Sequence, residues 1–67
     1  MIELTVNGEP DTIEEPMSLM EFLALYGLHE RMVVVEHNHD IVPRDRYGEV
    51  VIETGDALEI VQMMAGG

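Results

Sequence analysis

The sequence predicts an α+β domain, with one helix lying across one face of a small mixed sheet. Three observations carry that prediction. The chain opens on an alternating strand that runs into Asn7-Gly8. A single short amphipathic segment beginning at Ser18 has both of its ends marked. From Met32 onward the chain is again rich in β-branched residues broken by turn signals. A chain of 67 residues makes one domain. At this size only roughly 60% of the unfolded surface is buried, so helix and sheet must share one thin core. The folded domain is expected over residues 1–64, with a flexible tail at 65–67.

In "MIELTVNG", Ile2, Leu4 and Val6 alternate with Glu3 and Thr5, the period of a half-buried strand. Asn7-Gly8 is a strong hairpin signal, because a type I′ turn needs positive φ at both central positions. The return strand, "EPDTIEE", contains Pro10, which cannot donate to a ladder, so it belongs at a sheet edge. In "PMSLMEFLALYGL", Ser18 and Glu21 form a capping box, and Met17 and Phe22 occupy the positions of a hydrophobic staple. Leu19, Phe22, Leu23 and Tyr26 have the spacing of one buried face, and Gly27 is the expected residue just past the end. A helix of about ten residues is marginal alone and needs a sheet beneath it.

Met32 to His37 reads as the next strand and Ile41-Val42 as a short one. Pro43 suits the first position of a single helical turn. "VVIETGD" reads as a strand end with a turn at Gly55-Asp56, and "ALEIVQMM" as the last strand. The first and last strands are the most apolar and are expected side by side in the centre. A hairpin, a crossover helix and further strands in this order form the β-grasp arrangement, the ubiquitin-like one.

Composition narrows the function. Fourteen carboxylates face Arg31, Arg44 and Arg46, for a formal net charge of -11. Phosphate backbones would be repelled, so nucleic acid is not an expected partner. A basic groove on another protein would attract the chain, and the charge favours a monomer when free. The sequence holds neither a long apolar run nor a basic, apolar leader, so no membrane partner is expected and the cytoplasm is the expected location. Without cysteine there is no thiolate chemistry, and without lysine no side-chain amine to carry a group. No histidine is placed by sequence to activate a hydroxyl. No catalytic residue is therefore expected, and the most accessible covalent site is a C-terminal carboxylate.

Two local patterns invite other chemistry. In "EHNHD", His37 and His39 would share a face on a regular strand, but two imidazoles fall short of a closed zinc site. No metal is expected, and a polar turn explains the residues. Ser18 starts a helix in an acidic, lysine-free chain, as does the modified serine of acyl carrier proteins. Met17 stands where those have aspartate, and a β-rich pattern does not suit their all-helical fold, so Ser18 reads as a cap.

In the last strand, Leu58, Ile60, Gln62 and Met64 fall on one side; Glu59, Val61 and Met63 fall on the other. One helix covers one face, which leaves Val61 and Met63, with Val34, as a candidate docking patch. The tail then ends on Gly66-Gly67. A free carboxylate resists attack, since a nucleophile must add charge to an already charged group. Joining it to AMP supplies a leaving group. Residues without Cβ pass a narrow channel into a nucleotide site, which makes Gly66 the passage residue and Gly67 the reactive one.

In "VNGE", "SLMEFL", "VVVEHNHDIVPRDRY", "TGDALEIV" and the final "AGG", the chain resembles the ThiS family of the MoaD/ThiS superfamily over essentially its whole length. Val42-Pro43-Arg44, a short helical stretch, a Gly-Asp turn and a final Gly-Gly are specific in combination. The resemblance implies a sulfur carrier of thiamine biosynthesis, a protein cosubstrate rather than an enzyme, that binds no cofactor itself. An E1-like, ThiF-like adenylyltransferase would use ATP to adenylate Gly67. A persulfide, drawn indirectly from a cysteine desulfurase, would convert the adenylate to a thiocarboxylate, and a ThiG-like thiazole synthase would take the sulfur. His37 stands where the family usually has an aliphatic residue. Rival readings are a ubiquitin-like modifier joined to target lysines, a subunit whose tail stays in a partner's active site, and carriers for molybdopterin or tungsten cofactors, cysteine, homocysteine or tRNA thiolation.

Overall fold

A computed structural model describes residues 1–63. Its elements are β1 (Ile2–Val6), β2 (Glu9–Ile13), α1 (Leu19–Leu25), β3 (Val33–His37), β4 (Asp40–Ile41) and β5 (Ala57–Gln62). Single 3-10 turns stand at Glu30–Met32 and Arg44–Arg46. The strands form one five-stranded sheet in the order β2-β1-β5-β3-β4. β1 and β5 run parallel, and every other neighbouring pair runs antiparallel. This is the β-grasp arrangement, with β1 and β5 adjacent inside the sheet and the proline-bearing β2 at its edge.

The local signals act where the sequence places them. Asn7 and Gly8 have φ of 52° and 82°, the double positive turn that closes β1 onto β2. The capping box forms in full: Glu21 N–H donates to Ser18 Oγ at 3.1 Å, and Ser18 N–H to Glu21 Oε1 at 3.0 Å. The next two orphan donors go to a distant segment, Leu19 N–H to the Val50 carbonyl at 2.8 Å and Met20 N–H to the Tyr47 carbonyl at 3.0 Å. Leu19, Phe22 and Leu23 are fully buried against Leu4, Ile13, Val33, Val35, Ile52 and Leu58.

Several expectations are corrected. α1 has seven residues, fewer than the ten anticipated. Tyr26 leaves the buried face: it is 54% exposed, packs its ring 4.9 Å from that of Phe22 and donates its hydroxyl to Asp11 on β2. A phenol finds a polar partner more cheaply at the rim of a thin core than inside it. Met32 belongs to the 3-10 turn, and β4 begins one residue earlier than expected. Pro43 is the residue before its helical turn rather than the first within it. Residues 50–52 do not extend the sheet. They pair with the entry to α1, through the Ser18–Val51 bridge and a 2.9 Å bond from Ile52 N–H to the Met17 carbonyl. The unpaired donors of the helix end compete for this segment and win it from the sheet. It therefore packs on the helix side and leaves the other face of β5 open.

Candidate functional site

β5 leads directly toward the glycines, and two asparagines hold it in place. At the end of β1, Asn7 N–H donates to the Leu58 carbonyl at 2.8 Å. Its side chain then behaves as one more backbone unit: Asn7 Oδ1 accepts from Ile60 N–H at 2.7 Å, and Nδ2 donates to the Ile60 carbonyl at 3.3 Å. At the start of β5, Asn38 does the same work from the other side. Its backbone N–H donates to the Ala57 carbonyl, and its Oδ1 accepts from Ala57 N–H, both at 2.8 Å. Both asparagines have positive φ, 52° and 51°, a conformation their short polar side chains tolerate. Past the strand, Met63 N–H donates to the Met32 carbonyl at 2.8 Å, so the path stays pinned to residue 63.

His37 and Asp56 complete the anchor. His37 Nε2 lies 2.8 Å from Asp56 Oδ2, with side chains 26% and 12% exposed. Asp56 also accepts from Glu53 N–H at 2.9 Å and from Asn38 Nδ2 at 3.1 Å. Desolvation by burial pushes the Asp56 carboxyl up, but the Glu53 N–H, then His37 and Asn38, outweigh it and hold it below the usual range. A depressed carboxyl stabilises the fold above its unfolded value of about 3.9, and that contribution is lost as pH falls through the lower folded value. The expected result is that Asp56→Asn lowers Tm at neutral pH, and that the gap between variant and parent narrows below pH of about 4. Thermal unfolding monitored by circular dichroism across that range checks it.

The histidines of "EHNHD" part company in the structure. His37 ends β3, whereas His39 lies in the following turn with φ of 75°. They do not share a strand face, and among the described residues no three His, Asp or Glu side chains converge on a point that would hold a metal. The Tyr26 hydroxyl donates a hydrogen bond to Asp11. That bond first, then burial and the Asp11 charge, hold the phenol above its usual pKa, so it stays a donor.

Of the sequence-predicted site residues, Val34, Val61 and Met63 are 38%, 62% and 41% exposed. Val34 and Val61 sit directly opposite each other on β3 and β5. Gly66 and Gly67, with Met64 and the expected tail at 65–67, lie outside the described residues. The sequence reading missed the second role of Asn7 and the roles of Asn38 and Asp56. The available signal was an asparagine at each of the two turns whose neighbouring strands border β5.

Comparison with known proteins follows from this geometry. The model of the ThiS family matches residues 4–67. The sulfur carrier protein ThiS of Bacillus subtilis is 38% identical over 50 residues, covering 75% of this chain and 76% of that protein. The thiazole synthase of Paramagnetospirillum magneticum is 38% identical over 66 residues, which is 98% of this chain. This chain spans only 20% of that synthase's length. The crystal structure of the thiamine biosynthesis protein ThiS from Geobacter metallireducens superposes with a TM-score of 0.83 at 32% identity, covering 98% of this chain and 100% of that one.

Proposed function

This chain belongs to the ThiS family, and on that premise we propose that it carries sulfur for thiamine biosynthesis on the carboxylate of Gly67. The observation that supports this reading most is the anchoring of β5. Asn7, Asn38 and the His37–Asp56 pair fix β5, and the Met63 bond to the Met32 carbonyl carries the fixed path to residue 63. A partner therefore meets a rigid base followed by residues 64–67. The chemistry needs a free carboxylate at Gly67, so the experiments use the 67-residue chain ending there.

In the proposed cycle, a Gly67 carboxylate oxygen attacks the α-phosphorus of ATP in an E1-like, ThiF-like enzyme and pyrophosphate leaves. A persulfide sulfur attacks the acyl carbon, and AMP leaves. A partner thiol then attacks the outer sulfur of the acyl disulfide, releasing the thiocarboxylate and leaving a disulfide on the partner. A dithiol reductant returns that disulfide to two thiols, the persulfide of a cysteine desulfurase passes its terminal sulfur to one of them to restore the persulfide, and a ThiG-like thiazole synthase consumes the thiocarboxylate. The protein itself is a cosubstrate that holds no cofactor: Gly66 gives passage, and Val34, Val61 and Met63 contribute to docking. The proposed setting is the cytoplasm, where ATP and the activating enzyme meet the chain.

The test is an intact mass spectrum after incubation with ATP, the activating enzyme and a persulfide source. The expected result is a gain equal to replacing one oxygen by sulfur, dependent on ATP. No gain with enzyme shown to exchange pyrophosphate into ATP would refute the reading.

A further inference from the structure

On the helix side of the sheet, away from Val34 and Val61, the end of β2 and α1 enclose a groove of about 510 Å³. Ile13, Met17, Leu25 and Tyr26 line it, with the exposed Glu14 and Glu15 at its rim. Leu25 and Tyr26 are 67% and 54% exposed, much apolar surface for the end of a seven-residue helix. The Tyr26 wall is preformed: the hydroxyl is held by Asp11 and the ring packs on Phe22. The charge around the groove has one sign. Residues 1–28 carry six carboxylates, Glu3, Glu9, Asp11, Glu14, Glu15 and Glu21, and no basic side chain. All three arginines lie in the two 3-10 turns, where Arg44 donates to the Glu30 carbonyl and Arg46 pairs with Glu49. The neighbouring outer edge of β2 offers an incoming strand no free donor over residues 10–12. The two-residue turn makes Val6 and Glu9 a hydrogen-bonded pair, so Pro10 and Thr12 face outward. Pro10 has no N–H, and Thr12 N–H already donates to Asp11 Oδ1 at 2.8 Å.

We propose that this groove docks a basic amphipathic helix of a partner protein. Its apolar stripe rests on Ile13, Met17, Leu25 and Tyr26, and its lysines or arginines lie over Glu14 and Glu15. Two observations select that occupant. The all-acidic half of the chain attracts a basic segment and repels an acidic one, an anionic lipid surface included. The closed edge of β2 disfavours strand addition, which takes its affinity from main-chain bonds. A helix satisfies its own backbone and asks the groove only for side-chain contacts. Met17 gives the floor some adaptability, since an unbranched thioether repacks easily. The groove and the Val34–Val61 pair lie on opposite faces of the sheet, so a helix seated here leaves β5 and the residues beyond it free. One partner can then hold the domain by this side while another works on the tail. The proposal uses no residue of β5 or the tail, and so stands apart from the sulfur-carrier reading.

The probe is a synthetic helical peptide with leucines on one face and lysines on the other, titrated into the whole protein and followed by backbone amide NMR. A second peptide of the same composition has its leucines shuffled off that single face. The expected result is that shifts concentrate at Ile13, Met17, Leu25 and Tyr26. The shuffled peptide and the variant Leu25→Lys are each expected to bind at least ~10-fold more weakly, the size of one lost anchor residue. Leu25 is exposed, so the variant should keep the parent's Tm to within a few degrees. Glu14→Gln with Glu15→Gln, which leaves the apolar walls intact, is expected to weaken binding with a shallower salt dependence. Val61→Lys, on the opposite face, should bind the peptide at the parent's affinity to within ~2-fold, because distant sites act independently. Shifts centred on Val34 and Val61, equal binding of the shuffled peptide, or unchanged affinity in Leu25→Lys would overturn the proposal. Groove shifts that appear on concentrating the protein alone would also overturn it, by making a second copy of this chain the occupant.

Discussion

Replacing Gly66 by phenylalanine, or deleting Gly67, is expected to abolish sulfur loading while leaving the domain folded. The two halves of this result have separate physical causes. The core is complete without the tail: Leu4, Leu19, Phe22, Val33, Val35 and Leu58 all lie within residues 4–58 and are buried there. Loss of a terminal residue outside that core should move stability by no more than about 0.5 kcal/mol. Loading by the proposed cycle, in contrast, requires a Gly67 carboxylate oxygen to reach the α-phosphorus in line. An aromatic ring at position 66 must pass the same channel as the backbone, and misplacement by about 1 Å already costs on the order of 100-fold in rate. Deletion of Gly67 retains a carboxylate but moves it back by about 3.5 Å of chain. Intact mass spectra give the loaded fraction, and thermal unfolding of the same samples gives the folded fraction. Loading of either variant at the parent's rate would remove the delivery-arm account.

Phe22→Ala is expected to have the largest effect on the fold, about 3–5 kcal/mol. Phe22 is the largest fully buried side chain, in the one core cluster that α1 shares with residues of the hairpin and of β3. Small domains are stable by roughly 0.05–0.15 kcal/mol per residue, so this loss removes from about a third to all of what a chain of this length has. Urea unfolding should show a midpoint shifted far toward water, or a protein already unfolded. Leu25→Ala is the control: Leu25 lies three residues along the same helix but is 67% exposed, and should cost within about 0.5 kcal/mol. A Phe22→Ala midpoint within experimental error of the parent would mean that α1 does not hold the sheet.

The fold was largely legible because its local signals agree with one another. The Asn7-Gly8 turn, the Ser18–Glu21 box and Gly27 past the helix end are local chemistry, readable without knowing what packs where. What was misread depends on competition between distant partners. Residues 50–52 have strand composition but pair with the helix entry, because Leu19 and the Met17 carbonyl offer them unpaired backbone groups. Tyr26 has the spacing of a core residue but has Asp11 within reach at the rim. The anchoring of β5 was illegible for the same reason. Asn7 lies 53 positions from Ile60 and Asn38 lies 19 from Ala57, and no local pattern announces pairs at such separations. Exposure of Val61 followed from alternation and from a single helix. The groove between β2 and α1 needed the packing of the helix on the hairpin, which one sequence does not print.

Sulfur delivery tests the central claim most directly. The protein is loaded with a heavy sulfur isotope, freed of the activating enzyme and persulfide, and mixed with thiazole synthase and its small-molecule substrates. The account predicts that the intact mass returns to that of the oxygen form and that the heavy sulfur appears in the thiazole. Heavy sulfur retained on the protein while thiazole forms from another source would contradict it, as would recovery of Gly67 joined to lysines of other proteins.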